Sequence, residues 1–502
     1  MFQNIIKSTI KRKLGNYQIA LNNPNKSLPY NLKTKKRVAV VGGGIAGISA
    51  ASNLSERGFE VDLFEKSNYL GGKVGSWQFE SNGETLRVEH GFHAFFKQYF
   101  NLLEFMKKID AHKHLIPIDD YLIFYPDHSK QSFKNMDTTP LLNVWSMGKT
   151  GVYRYRDMIL NRYGTKLLDL FKFDFNKTFD QYDNVPLSDF MRDTNIPEKM
   201  RIVFSSFARA FFAQPKDMST AELIKSFHFY FLSNDLGLLY DVLDDDFDKT
   251  FLQPATKFMQ QNNVTIHLNT AVEQITYLNE NFFINGKEYD YCVLALDVKH
   301  LPKVIMNSPT LHQFSNFKQQ TLNVKPSARY AVWRLWTDAF EKEKYPFFVF
   351  TDRLDCLDSI TFYHNMEKES RAWSEKNKGG IFELHSYALP AHLQSDEQIK
   401  EALLKELHYY LPELKHMNIR HEYFQHRDDF SAFHCGLYKN RPTVKTEVPH
   451  LFLAGDWVKM DNCAMLMEAA YTSGSMAANY IMEQEHLQQN ALVSVPVKGL
   501  LA

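Results

Sequence analysis

Four residues near the front of the chain carry the first chemical signal. Gly42, Gly44 and Gly47 stand at the spacing G-x-G-x-x-G, between the apolar run RVAVV from Arg37 and the segment IAGISAASNLS. In that template the first glycine permits a tight turn, the second lets backbone approach a pyrophosphate, and the third lets helix pack closely on strand. The phosphates would lie at a helix N-terminus, where unpaired N–H groups and the positive end of the dipole offset their charge without a lysine. Glu65 closes the next apolar run, VDLFE. That is about the ~20 residues downstream expected of the acid that binds a ribose hydroxyl, and a carboxylate there disfavours the 2′-phosphate of NADP.

A parallel sheet must hold these residues. Arg37 to Val41 is β-branched and apolar, as in a strand buried on both faces, and a helix and a second strand follow. Strand-like segments return much later, in NVTIHLNTAVEQITYL, in FFINGKEYDYCVLALD with its Asn-Gly turn signal, and in HLFLAGDW. Between them the pattern is helical and aromatic, as in RIVFSSFARAFFAQ and ELIKSFHFYFLSNDLGLLYDVL. The expected fold class is therefore α/β, a Rossmann-like dinucleotide-binding domain with an inserted α+β substrate domain. A chain of 502 residues is too long for one core. The expected division is a basic extension at 1–36, a discontinuous cofactor domain at 37–101, 250–310 and 446–485, and a substrate domain at 102–249 and 311–445. The cleft between the two domains is the expected ligand site.

Formal net charge is zero, which points away from nucleic acid. Locally the balance differs: no acidic residue precedes Glu56, while nine cations lie from Lys7 to Arg37. In MFQNIIKSTIKRKLG the apolar Phe2, Ile5, Ile6, Ile10 and Leu14 recur at near-helical spacing among cations. Two readings stay open: a helix lying on anionic lipid, or a disordered, solvated basic arm. No secretory h-region and no apolar run of membrane-spanning length is visible. Cys292, Cys356, Cys435 and Cys463 are dispersed and read as reduced thiols, the pattern of a cytoplasmic protein.

The residues after Glu65 narrow the nucleotide. SNYLGGKVGSW gives a second glycine turn, Gly71 and Gly72, with a cation at Lys73. Here the sequence resembles the FAD-dependent amine oxidase and carotenoid desaturase superfamily, whose members carry L-G-G-[KR] after the ribose-binding acid. LFLAGDWVKMDNCAMLMEAAYTSGSMAAN resembles that superfamily's second flavin motif, with Gly455 and Asp456 ending a strand and a helix beginning beneath the isoalloxazine. The stretches VEHGFHAFFKQYFNL and FARAFFAQPKDMSTAELIKSFHFYFLSNDLGLLYDVL resemble the carotene desaturase/methyltransferases of the isorenieratene synthase type. The resemblance covers about Arg37 to Asn479 and implies a glutathione-reductase-like FAD domain of the amine oxidase type. It implies FAD contacts from Gly42, Gly44, Ile45, Ala46, Gly47, Glu65, Lys66, Gly71, Gly72, Lys73, His90, Gly91, Val272, Gly455, Asp456, Met467 and Ala470.

Other conspicuous residues have plainer readings. Glu89, His90 and His93 in EHGFH suggest a metal, but Gly91 spoils a helix between the histidines and no further ligand is near. The resemblance instead turns this loop toward the flavin, making Glu89 and His90 the expected catalytic residues, with Glu89 as base. His228, between two phenylalanines, reads as a hydrogen-bonded core histidine. Arg334 in SARYAVWRLW reads either as a carboxylate partner or as part of a solvated strand face. Cys463 lies near the second flavin motif but does not match a covalent flavin attachment. The 40 phenylalanines are mostly core, yet those of the inserted domain suit a polyene, which offers only π faces and methyl groups.

The resemblance implies an FAD-dependent oxidoreductase that desaturates a carotenoid or related polyisoprenoid, possible steps being isomerisation or methyl migration. Oxygen or a quinone would take the electrons. A substrate dissolved in a bilayer implies peripheral contact with anionic membrane. Two rivals share the fold: an amine oxidase, for which Lys325 is the nearest candidate for a flavin-side lysine, and a non-catalytic isoprenoid-binding protein.

Overall fold

A computed structural model describes residues 2–14, 17–118, 120, 122–156, 161 and 163–502. Five strands form the first sheet, in the order Val264–His267, Glu60–Phe64, Arg37–Val41, Tyr291–Leu294, Leu451–Leu453. All pairs are parallel, with Val40 opposite both Leu63 and Val293. Such a sheet needs both faces covered, and residues 38–41, 61–64 and 291–294 are accordingly buried throughout. From the central strand Arg37–Val41 the chain first adds a neighbour on one side and later one on the other, so the order reverses at its carboxyl end. That is where open α/β sheets bind ligands.

Two helices cross against each other beneath this point. Ile45–Ser55 is buried along its length, and Leu466–Gln484 packs on it. Their approach is close because a Cβ on Gly474 would lie 2.2 Å from the Ala46 carbonyl oxygen. Ser49 Oγ donates to the Tyr471 carbonyl at 2.7 Å, which satisfies a polar group inside the contact. The helix Phe100–Lys108 joins them through Glu468, whose carboxylate accepts from the Asn101 and Leu102 N–H groups and so caps that helix.

A second sheet of seven strands runs Ile419–Arg427, Tyr330–Thr337, Ile381–Ser386, Ser359–Phe362, Phe348–Thr351, Leu122–Phe124, Lys130–Ser132. Tyr330–Thr337 is buried on both faces. Ala331, Trp333 and Leu335 pack with the helix Asp396–Tyr410, which begins in a capping box between Ser395 and Gln398. Tyr330 and Val332 face the other way, onto Phe212 and Phe430. Arg334 shares that second face and is only 2% exposed, so the solvated-face reading does not hold. Its Nε donates to Glu383 at 2.7 Å and its guanidinium lies 3.5 Å above the Tyr363 ring centre.

The helical, aromatic segment predicted between the sheets is present, with one irregularity. After Thr220–Phe227 the chain makes a π-helical turn, His228–Leu232, whose loosened carbonyls are taken up elsewhere. Gln98 Nε2 donates to the Phe229 carbonyl and Asn143 Nδ2 to that of Phe231. His228 is a core residue, stacked on Phe173 and hydrogen-bonded through Nε2 to the Pro496 carbonyl at 2.7 Å.

The basic N-terminal segment is a helix, Phe2–Lys13, and not a disordered arm. Ile10 and Leu14 are buried in a small cluster with Tyr17 and Leu500, while Ile5 is 56% exposed. Ile19–Ala20 then pairs with Val493–Ser494, so the two ends of the chain, both outside the recognised motifs, hold each other. Met1 and Gly15 of the basic stretch lie outside the described residues. Among the described residues no helix is long and apolar enough to cross a membrane, and all four cysteines are free.

Candidate active site

A cavity of about 510 Å³ opens at the carboxyl ends of the parallel strands, touching Val41, Phe64, Ala295 and Gly455. Its walls come from both sheets, which fits the expected cleft. One end is built from backbone. Gly42 holds φ +112°, a conformation that favours glycine, and a Cβ on Gly47 would sit 1.8 Å from the Gly42 carbonyl oxygen. The second glycine turn docks on the first, as Gly71 N–H donates to the Gly43 carbonyl at 2.8 Å. Glu65 is fixed by the N–H groups of Gly43 at 2.8 Å and Ser67 at 2.9 Å.

Two helix N-termini aim at this cavity without a side-chain cap. Ile45–Ser55 starts after Gly44 and Leu466–Gln484 after Met465, and Ile45, Ala46, Leu466 and Met467 all line the space. Uncapped N–H groups need an acceptor, and phosphate oxygens or an electron-rich ring edge would supply it. Asp456 is steadied by Ser431 Oγ at 2.9 Å, and the Gly455 N–H donates to Ser473 Oγ at 2.9 Å. The residues present therefore fit a flavin dinucleotide: the phosphates would lie over the first helix, the ribose at Glu65, the ribityl or diphosphate region at Asp456 and the ring system at the second helix.

The other end of the cavity is aromatic. Phe92 stacks on Phe348 with ring centres 4.4 Å apart, Phe212 stacks on Phe430 at 3.7 Å, and Phe96, Tyr240 and Tyr387 complete the walls. Where the two ends meet, His90 Nε2 lies 3.0 Å from Tyr330 Oη, which in turn lies 2.6 Å from Asp429 Oδ1. Burial pushes the His90 imidazole below its ordinary range even though Asp429 pulls it up. Burial opposes ionisation of Asp429, but the nearby His90 imidazole, the charge of Lys73 and the hydrogen bond from Tyr330 hold its carboxyl far below the usual range. Lys73 Nζ itself lies 4.6 Å from the centre of the Phe430 ring.

Most residues expected at the cofactor line this cavity: Gly42, Gly44, Ile45, Ala46, Glu65, Lys66, Gly71, Gly72, Lys73, His90, Val272, Gly455, Asp456, Met467 and Ala470. Gly47 and Gly91 lie behind the wall; Gly47 serves the helix-to-turn contact, and Gly91 backs onto His385 and Val332. Glu89 departs from expectation. Its carboxylate turns away from the cavity, accepts from the Phe247 N–H at 2.7 Å and sits 3.8 Å from Arg334. Strand alternation explains this: in Glu84–Glu89 and the residue after it, neighbouring side chains point to opposite sides, so His90 and Glu89 cannot share one. The Nε2 of His90 is taken up by Tyr330. Cys463 is fully buried outside the cavity, and its burial lifts the thiol to about 12. Lys325 does not line the cavity either.

Tyr330, Asp429, Phe430, Phe348 and Tyr387 were not picked out from the sequence. Tyr330 and Asp429 are 99 residues apart and meet because Tyr330 pairs with Arg427 across two antiparallel strands. The one local sign is DDF, directly after a long alternating strand.

Residues 45–482 match the family described as flavin containing amine oxidoreductase. A carotenoid phi-ring synthase of Streptomyces griseus is 32% identical over 476 residues, 92% of this chain and 90% of that one. A carotenoid phi-ring synthase of Chlorobaculum tepidum is 26% identical, over 95% of this chain and 93% of that one. Among solved structures, an oxidoreductase from Methanosarcina mazei superposes with a TM-score of 0.62 at 15% identity, over 89% of this chain and 100% of that one, a likeness of fold alone.

Proposed function

The chain belongs to the family of flavin containing amine oxidoreductases, with FAD as its cofactor, and from that premise we propose that it oxidises the end of a carotenoid. The observation that carries this reading is the single cavity that joins a phosphate cradle to a chamber walled by phenylalanine and tyrosine. Relatives spanning nine-tenths of the chain are carotenoid phi-ring synthases, which favours oxidation with methyl migration, the ring becoming aromatic, over simple desaturation. FAD, when bound, supplies hydride acceptance.

The chain's own residues do the rest. Gly42, Gly44 and the N–H groups at Ile45 and Ala46 grip the diphosphate, and Glu65 holds the ribose. Asp456 holds the ribityl or diphosphate region, and the helix N-terminus at Leu466 and Met467 holds the ring system. The aromatic walls orient the polyene by its π faces and exclude water, which would otherwise capture a polyene cation. Electrons leave to oxygen or a quinone.

Expression in a carotenoid-producing host with analysis of the pigments tests this. New pigments with an aromatic end ring support the proposal, and an unchanged pigment profile from a yellow, FAD-loaded protein refutes it. The amine oxidase rival predicts peroxide release with amines. The binding-protein rival predicts a protein that takes up carotenoid but no FAD.

We also propose that the helix Phe2–Lys13 rests on anionic lipid. Ile5, Lys11 and Arg12 are exposed, and no acidic residue lies on the helix. Its anchorage to Leu500 ties such a contact to the body of the protein. The double variant Lys11→Glu, Arg12→Glu should lose flotation with anionic vesicles at low salt, and unchanged flotation would remove the role.

A further inference from the structure

We propose that His90 is the catalytic base of this site, its Nδ1 taking the proton that leaves the substrate, and that Tyr330 and Asp429 are positioning residues that set its tautomer. The assignment of the substrate rests on the carotenoid reading above; the assignment of the tautomer does not.

Counting protons fixes the tautomer. Tyr330 has a single hydroxyl proton. Asp429 Oδ1 lies 2.6 Å from Tyr330 Oη, and an ionised carboxylate only accepts, so that proton is donated to Asp429. The 3.0 Å contact between Tyr330 Oη and His90 Nε2 must then be donated by Nε2–H. A neutral imidazole with its proton on Nε2 has a lone pair on Nδ1. His90 lines the cavity, and no described residue hydrogen-bonds its Nδ1.

The groups facing His90 agree with this role. Asp429 Oδ2 is 3.9 Å from Nε2, Tyr330 lies between them, and Arg427 and Lys73 add positive charge. His93 comes from the same loop, and Phe430 meets the His90 ring edge to face at 5.6 Å. Burial and the two cations keep His90 neutral before the reaction, and Asp429 steadies the imidazolium after it. The other titratable groups at the aromatic end are worse acceptors. Burial pushes His93 down to about 3, Tyr240 and Tyr387 hold their protons far too tightly to give up a phenolate, and Glu89 faces away.

Each round removes one hydride, for which bound FAD would be the acceptor, and one proton. Once a hydride has left the substrate with two electrons, the carbon next to the cationic centre breaks its C–H bond. That electron pair becomes the new carbon–carbon π bond, and the proton goes to Nδ1. When a methyl group migrates first, the cation moves by one carbon and the same proton loss closes that round; a cyclohexene end ring becoming a benzene ring loses four hydrogens and so takes two rounds, with oxygen or a quinone receiving the two electrons of each. The imidazolium returns its proton to water between turnovers.

The test uses the FAD-loaded enzyme labelled with 15N-histidine, His90 being assigned by its loss in His90→Gln. The expected spectrum at pH 7 shows a neutral ring protonated on Nε2 that titrates below the ordinary 6.5, and Tyr330→Phe shifts the tautomer ratio. A ring protonated on Nδ1, or already cationic at pH 7, overturns the assignment. In anaerobic single turnovers with carotenoid delivered in vesicles, His90→Gln should bleach the flavin within about threefold of the wild-type rate. Product should form on the order of 100-fold more slowly, the scale of a lost general base, and His90→Ala should regain part of that rate in added imidazole. Product formed within threefold of the wild-type rate in His90→Gln overturns the proposal. If the wild-type enzyme neither bleaches nor makes product, the carotenoid reading fails, and the tautomer stands or falls on the spectra alone.

Discussion

Replacing Gly47 by alanine tests whether the helix beginning at Ile45 grips the FAD diphosphate. The added Cβ would lie 1.8 Å from the Gly42 carbonyl oxygen, where real Cβ atoms essentially never come closer than 3.0 Å. Helix and turn must therefore separate by at least 1.2 Å, the difference of those two distances. An N–H···O contact of about 2.9 Å stretched by that amount passes the ~3.5 Å beyond which no hydrogen bond remains. Each charge-assisted bond is worth roughly 1.5–3 kcal/mol, so losing two costs about 3–6 kcal/mol, or about 10²- to 10⁴-fold in FAD affinity. The assay is titration of FAD into the apoprotein, followed by quenching of flavin fluorescence. Gly83→Ala serves as control, since its added Cβ meets nothing within 4 Å even though Gly83, unlike Gly47, sits at positive φ. An affinity within threefold of wild type, with unchanged circular dichroism, would refute the reasoning, because the diphosphate could not then be resting on this helix.

Arg334→Met removes the cation that balances fully buried Glu383, and breaking such a pair should cost about 3–5 kcal/mol in urea denaturation. Burial lifts Glu367 to about 7 although Arg334 pulls it down, so the folded chain keeps a proton that the unfolded chain, at 4.5, has released. Stability contributed by that proton is complete below 4.5 and is lost as pH rises to about 7, by about 3 kcal/mol. Glu367→Gln should therefore gain on wild type by up to that amount between pH 5 and pH 8, and a gap that is constant with pH would show Glu367 ionised throughout. Acid precipitation should release all of the flavin into solution, because Cys463 is sealed outside the cavity; flavin retained on the protein would contradict the structure.

Much of the cofactor end was legible because its chemistry is written in short stretches of chain. A glycine at a turn of positive φ, an acid at a strand end and a second glycine turn are local requirements, and Gly42, Glu65 and Gly71 met them in order. The parallel strands were legible for a related reason, since burial on both faces demands an uninterrupted apolar run. Glu89 shows the limit. The motif EHGFH placed two candidates side by side, but successive residues of an extended chain point to opposite sides, and the sequence alone did not say which faced inward.

By itself, then, the sequence pointed to the nucleotide through its resemblance to a flavoprotein family, and to the glycine turns, the acid and the apolar strands through patterns carried within a few residues. Only the tertiary structure decided the rest. It delivered Arg334 to buried carboxylates, turned the basic N-terminal helix onto the C-terminal tail, and joined Asp429 through Tyr330 to His90. Those encounters are set by the register of antiparallel strands and by which faces two sheets bury, and no spacing along a single chain records them.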